Sequence, residues 1–467
     1  MATTYYLGVD TGGTFTDFYW HGPTGSGIHK VLSTPDAPEC AILQGIEELG
    51  LTDRMKAGEL IVVHGSTVAT NAALEGKGAR TAFITNKGFK DVLLLGRQNR
   101  DAIYAIHPLS NAIPVAEHLC LEVDCRRDAH GKVIKPLTDE AIAAMREELE
   151  LLQPESVAIS LLYAFIQSDD EQRLRAAAPE GIPVSCSFQV LPEYREYERG
   201  VATWLNAWLA PRVANYLEKL QGEVGPSRLA VMQSSGGTIA AQQARARAVN
   251  LLLSGPAGGL AAAQHIGEQS GSSRLLTFDM GGTSTDVALI DGQVHLTTEG
   301  RLAGYPVAVP MVDMHTIGAG GGSIAYLDHA RLLHVGPESA GASPGPACYG
   351  LGGVKPTVTD ANAILGRLRP EYFLGGRMPL DLSAAERAVG SLGHDMGVDA
   401  EAAALGIVSL ANEHMARALR VISVQRGYNP ALFELCCFGG AGGLHVCALA
   451  ADLGISRVLI PAHGGVL

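Results

Sequence analysis

The octapeptide DTGGTFTD, residues 10–17, recurs as DMGGTSTD, residues 279–286, with six of its eight letters kept. Both copies sit in the same surroundings: YYLGV and LLTF precede them, and FYW and VALI follow. Apolar strand formers on either side of a Gly-Gly turn predict a β-hairpin. Two hairpins with one turn chemistry, so far apart in the chain, predict two lobes built on one plan.

The turn composition also points to chemistry. Glycine lets a backbone approach a phosphate closely and turn its N–H groups toward it. Hydroxyls at Thr11, Thr14, Thr16, Thr283 and Ser284 add donors around Gly12, Gly13, Gly281 and Gly282. The leading carboxylates, Asp10 and Asp279, would repel a phosphate unless a cation or a polarised water stands between. They are the candidate catalytic and Mg²⁺-positioning residues. Asp17 and Asp286 close the turns, where bonds that stabilise the hairpin serve as well as metal contact.

Three further Gly-rich stretches follow. CCFGGAGGLHVCALAADLG runs from a strand through Gly439, Gly440, Gly442 and Gly443 into a helix, an arrangement that offers backbone amides to an anion or nucleotide. An acidic residue about 20 positions on would suit a dinucleotide ribose, but the chain reads VLIP there. LLLSGPAGGLAAAQHIG reads as a helix whose small residues allow close packing, and HTIGAGGGSIAYLD as a flexible loop facing the cleft.

Composition narrows the class. The chain has 467 residues, 47% hydrophobic and 18% charged, which fits a globular protein of more than one domain. A formal charge of −13 without a basic block argues against nucleic-acid or membrane-surface binding. The start MATTYYLGVD has neither the basic flank nor the apolar run of a signal peptide. Eight cysteines without a CxxC pair suit reduced thiols, so a cytoplasmic protein is expected. Between the octapeptides, short apolar strands alternate with helical patterns such as Thr138 to Leu152, which predicts α/β sheets. The polar stretch from Pro179 to Pro192 is the expected domain boundary. After it, EYREYERGVATWLNAWLAPRVANYLEKL carries Tyr, Trp and Leu at helical spacing, as a core helix would.

Outside the Gly-rich turns, His64, Ser66, Thr67 and Asn71 stand where LIVVHGS meets a helix and are candidates for contact with substrate or a transferred phosphoryl group. Helix capping is the alternative for Ser66 and Thr67. Arg97 and Arg100 are candidates for binding an anionic group, or for surface ion pairs. Asp313 and His315 alternate on one strand face and form a candidate metal pair, with positioning of the Gly loop as the alternative. Cys348 in PGPACYG is a candidate nucleophile or a buried thiol.

In their order, these elements resemble the actin, sugar-kinase and heat-shock-chaperone ATPases. That resemblance implies two ribonuclease-H-like lobes with ATP between them, two phosphate hairpins, an adenosine loop at Gly439 to Gly443 and a crossing helix at Ser254 to Ile266. More narrowly, GVDTGGTFTD, HGSTVATNAALEGKGART, GFKDVLLLGRQNR, REYER, SGPAGG, FDMGGTSTDVALI, DMHTIGAGGGSIA, GPESAGASPGPACYG, PTVTDANAILGRL and FGGAGGLHVCALAADLG resemble the ATP-binding subunits of the hydantoinase A, 5-oxoprolinase and acetone carboxylase group. Membership would imply an N-terminal lobe over residues 1–185 and a hydantoinase A-type lobe over 186–467. Subunits of this kind usually continue for a further domain, and VLIPAHGGVL resembles the start of a second crossing helix. The resemblance implies ATP-dependent phosphorylation of the carbonyl oxygen of a cyclic amide, with Mg²⁺, alongside a hydantoinase B-type subunit in a homo- or hetero-oligomer. The ATP-using subunit of a ketone carboxylase is the alternative within the group, and a nucleotide-gated binding module the alternative outside it.

Overall fold

The computed structural model describes residues 4–12, 15–34, 37–99, 104, 106, 115–302, 304–376 and 378–466. Each octapeptide is the turn of an antiparallel hairpin, and each hairpin opens a sheet. In the first sheet Tyr5–Thr11, Phe15–Gly22 and Gly25–Leu32 run antiparallel, while Leu60–Ser66 and then Arg228–Met232 add in parallel on the other side of Tyr5–Thr11. In the second, Arg274–Met280, Thr285–Asp291 and Met314–Ile317 are antiparallel, and Glu434–Phe438 and Val458–Leu459 add in parallel. Numbered by their order within each lobe, both sheets read 3-2-1-4-5, and the first carries Thr238–Ala240 as an extra edge strand. The duplication seen in eight letters thus extends to strand order and strand sense.

A parallel four-stranded sheet, Val184–Cys186, Ser156–Ser160, Thr81–Asn86 and Cys120–Val123, is inserted in the N-terminal half. The helix Asp139–Leu152 beside it is capped by Thr138, whose hydroxyl accepts from the Ala141 N–H at 3.3 Å, and it buries Met145 and Leu149. The 29-residue helix Glu196–Val224 is buried on most of its circumference, with the Trp204 and Trp208 rings stacked 5.1 Å apart. It packs against strands of the first and the four-stranded sheets, which is why its sequence lacks a polar face. The core around it takes residues from Tyr5 to Met311, so the first hairpin's sheet draws on chain beyond residue 185.

Helix Ser254–Gln269 lies between the two large sheets and packs on strands of both. Its glycines set the distances. A Cβ on Gly258 would lie 3.5 Å from the Met232 Cε of the first sheet, and one on Gly259 only 2.8 Å from the Phe438 ring of the second. Among the described residues no helix is long and apolar enough to cross a membrane.

Candidate functional site

The two turns are built alike. The Gly12 N–H donates to the Phe15 carbonyl and the Gly281 N–H to the Ser284 carbonyl, both at 3.0 Å. Asp10 stands opposite Asp17 in register, and Asp279 opposite Asp286. In each sheet the third strand then supplies a partner for the second aspartate. Lys30, directly across from Asp17, reaches it at 2.5 Å, and Thr316, across from Asp286, donates its hydroxyl to it at 2.5 Å. Lys30 and Thr316 were not singled out from the sequence. The signal for them is cross-strand register, which needs the pairing first.

Asp10 and Asp279 approach a common space. Asp10 is open to solvent yet ringed by backbone: a Cβ on Gly65 would lie 3.1 Å from its Oδ1, and one on Gly255, in the first turn of the crossing helix, 3.4 Å. Although the side chain keeps a solvent-facing edge, the protein packed around it desolvates the carboxyl, and this, reinforced by Asp17 and opposed by Lys30, pushes Asp10 up to about 6. Burial, then Asp286 and then Asp10 push Asp279 up to about 7. Asp10 is therefore close enough for its charge to be felt at Asp279 across the lobes. Two carboxylates held together against their own repulsion, with oxygen donors only, suit a hard divalent cation such as Mg²⁺.

The third Gly-rich turn closes on Asp279. Gly439 has φ +81°, and a Cβ there would fall 2.2 Å from the Asp279 Oδ1, so only glycine fits. Its N–H donates to the Gly464 carbonyl at 2.7 Å, and that of Ala441 to the Met280 carbonyl at 2.9 Å. Gly440 and Gly443 are exposed on this turn, whereas Gly442 is buried against Cys437 and Phe278. His445 immediately precedes the following helix, Val446–Leu453, and its ring is buried between Asn412, at 2.7 Å from its Nδ1, and Asn362, at 3.3 Å from its Nε2. Burial lowers its pKa to about 4, so the ring is neutral.

Several sequence expectations are corrected here. His64 is fully buried, 2.7 Å from the Tyr216 hydroxyl, with its pKa lowered by burial to about 4. It is a core residue, on the same strand face as Leu60 and Val62. Thr11 and Thr16 also turn away from the aspartates. They pair on the opposite face of the hairpin, both buried, with Thr16 3.0 Å from the Ser33 hydroxyl. Ser66 is buried and accepts from the Val68 N–H at 3.3 Å, and Thr67 donates to the Thr11 carbonyl at 2.9 Å, so both brace the helix start and the hairpin. Asn71 is exposed, 3.4 Å from the Thr67 hydroxyl. Thr283 is exposed and Ser284 half-buried in the second turn.

Arg97 forms a two-pronged ion pair with Glu198, at 2.8 and 2.6 Å. Asp313 is likewise held by Arg426 through both of its oxygens, which removes it from the proposed metal pair with His315. Among the described residues no group of three or more His, Cys, Asp or Glu is placed to hold a metal ion. Cys348 is buried, and desolvation drives its thiol far above the ordinary range, so it is no nucleophile. Gly13, Thr14 and Arg100 lie outside the described residues.

The segment GAGGG is not a cleft loop but a buried brace. Gly321 and Gly322 donate to the carbonyls of Gly281 and Gly282 at 3.0 and 2.7 Å, and Thr285 donates to the Ala319 carbonyl. A Cβ on Gly320 would meet the Gly282 backbone at 2.7 Å, so the second hairpin turn is pinned from behind by chain without side chains.

Residues 199–467 match the Hydantoinase/oxoprolinase family and residues 6–182 the Hydantoinase/oxoprolinase N-terminal region. The caprolactamase subunit alpha of Pseudomonas jessenii is 38% identical across 98% of this chain and 68% of its own length. The 5-oxoprolinase 1 of Arabidopsis thaliana is 34% identical across 98% of this chain, which spans only 40% of that protein. Among solved structures, nucleotide-free acetone carboxylase, studied for ATP-dependent acetone carboxylation, is similar with a TM-score of 0.82 at 29% identity, covering 99% of this chain and 69% of the other. With both regions matched and relatives of this identity along nearly all of its length, the chain belongs to the hydantoinase/oxoprolinase family.

Proposed function

We propose that this chain is the nucleotide-using part of an ATP-dependent enzyme that phosphorylates the carbonyl oxygen of a cyclic amide on the way to its hydrolysis. The carrying observation is the pair of equivalent hairpins whose leading aspartates, Asp10 and Asp279, are close enough for the charge of Asp10 to raise the proton affinity of Asp279. In this reading the lobes form an actin-like ATPase pair. Gly281, Gly282, Thr283 and Ser284 lie along the phosphates, with Gly440 and Gly443 beside the nucleoside. An amide is a poor electrophile, and a phosphate on its oxygen makes a good leaving group. Catalysis of that transfer is mostly alignment and charge neutralisation. A Mg²⁺ ion held by Asp10 and Asp279, through water or directly, would supply the neutralisation. Lys30 and Thr316 keep Asp17 and Asp286 fixed so that the leading pair is presented correctly.

Relatives named as subunits support a second subunit, which in this reading completes the reaction; the free thiols among the described residues suit a reducing compartment such as the cytoplasm. Residues 1–185 and 186–467 would be the two family regions, with the first sheet borrowing strands from the second. The likeness to acetone carboxylase supports a ketone as the alternative substrate. ATP turnover measured with hydantoin, 5-oxoproline, caprolactam, and acetone plus bicarbonate separates the two. Stimulation by the ketone alone would sink the amide reading. Asp10→Asn and Asp279→Asn should each lower turnover by about a hundredfold or more, the scale expected when transition-state electrostatics are removed, with unchanged circular dichroism. Normal turnover in either variant would move the phosphate site elsewhere.

A further inference from the structure

The second hairpin and the third Gly-rich turn are both tied to one short helix, Val358–Ile364. Its start is fixed by a capping box: the Thr357 hydroxyl accepts from the Asp360 N–H at 3.2 Å, and the buried Asp360 carboxylate accepts from the N–H groups of Thr357, Ala347 and Cys348. From there Thr359 donates through both its N–H and its hydroxyl to the Gly321 carbonyl, at 2.7 and 2.8 Å. Gly321 is the residue that donates to Gly281, so this part of the helix holds the second hairpin from behind. One turn further on, Asn362 meets the ring of His445, whose own N–H donates to the Gly442 carbonyl of the third turn at 3.0 Å.

The groups around Asn362 leave one arrangement of protons. The Val358 carbonyl, 3.1 Å from its Nδ2, can only accept, and the Arg367 guanidinium, 3.4 Å from its Oδ1, can only donate. The amide therefore offers an N–H to the His445 Nε2, which leaves the ring proton on Nδ1. That nitrogen donates in turn to the Asn412 Oδ1, from helix Ala400–Ile422. Asn362 and the His445 ring are both buried, where an unmatched donor or acceptor costs more than a made bond returns. A ring read at both nitrogens by amides from two helices has one orientation.

We propose that Asn362 and His445 are positioning residues for the nucleoside: they hold the third Gly-rich turn in a set place relative to the second hairpin, so that nucleoside and phosphates are engaged together. Both side chains are buried, so they act through the backbone of Gly442 and not by touching the ligand. Their loss is then felt at the nucleoside, while the phosphate hairpins, held by Gly321 and Thr359, stay as they are. The role rests on the ATP reading above.

Calorimetric titration of the whole chain with Mg-ATP and with Mg-tripolyphosphate, the same phosphates without a nucleoside, tests it. His445→Leu should weaken ATP by about tenfold or more, the size of one buried hydrogen bond left unmade, and leave tripolyphosphate within about twofold. Asn362→Leu, close in volume, should do the same, and it decides should His445→Leu fail to fold. In the nitrogen NMR spectrum of the chain labelled at histidine, the signal displaced by Asn362→Leu should be that of a neutral ring protonated on Nδ1. Equal losses for the two ligands, undiminished ATP binding in either variant, or a ring protonated on Nε2 overturns the positioning role. An unaltered chain that binds tripolyphosphate as tightly as ATP also overturns it, and leaves the phosphate hairpins standing. One that binds neither sinks the nucleotide reading and the positioning role together.

Discussion

Of the two leading hairpin aspartates, Asp279 holds its proton more tightly, at about 7 against about 6 for Asp10. A carboxyl that holds its proton more tightly when folded than when unfolded contributes stability in full below the unfolded value near 4. That contribution is lost as the pH rises through 7. Asp279→Asn should therefore raise the thermal midpoint at pH 8 and change it little at pH 4. A gain of about 1–2 kcal/mol, a few degrees, is expected after allowing for solvent screening. Thermal melts at the two pH values in chelator check this, and an equal shift at both would point to packing rather than charge. Asp10 and Asp279 were legible because an unusual octapeptide recurred. His64, Thr11 and Thr16 were misread because closeness to a motif says nothing about which side of a strand a residue faces. Alternation from Asp10 would have placed Thr11 on the far side, and pairing across the turn would have taken Thr16 with it.

Helix Ser254–Gln269 shows how small residues become geometry. Its glycines weaken the helix by about 1 kcal/mol each relative to alanine, and their use is the absence of a side chain at two contacts. Gly259→Val would drive a branched side chain into the Phe438 ring and should cost about 1–3 kcal/mol, as overpacking does. Gly258→Ala, where a Cβ meets Met232 at ordinary contact distance, should cost far less. Urea unfolding of the two variants tests the contrast, and equal losses would mean that the helix does not set the spacing of the sheets at Phe438. The sequence pattern showed that this segment was a closely packed helix, and the resemblance implied that it crosses between lobes, but the individual contacts at Met232 and Phe438 come only from the packed sheets. GAGGG was misjudged for a related reason. A glycine run reads as freedom, yet here each missing side chain lets a strand connection lie against a turn that must stay rigid.

Across the molecule, the two lobes bring carboxylates together that each lobe alone would leave apart. If a divalent cation is held by Asp10 and Asp279, its binding must expel the protons that they partly retain at about pH 6.5. Titration with Mg-ATP in buffers of different ionisation enthalpy at pH 6.5 should show proton release, and affinity should rise from pH 5.5 to 7.5 as the carboxyls at about 6 and about 7 ionise. Heat independent of buffer would place the cation elsewhere. The repeated octapeptide, the strand formers around it and the α/β alternation are local in sequence, so they sufficed for two hairpins and two related lobes, while the family was legible only through the resemblance of motifs along the whole chain. Facing and contact are not local. The side of each strand that meets the core, and the capture of Asp313 by Arg426 and of Arg97 by Glu198, depend on residues more than a hundred positions apart, which meet only when the sheets pack.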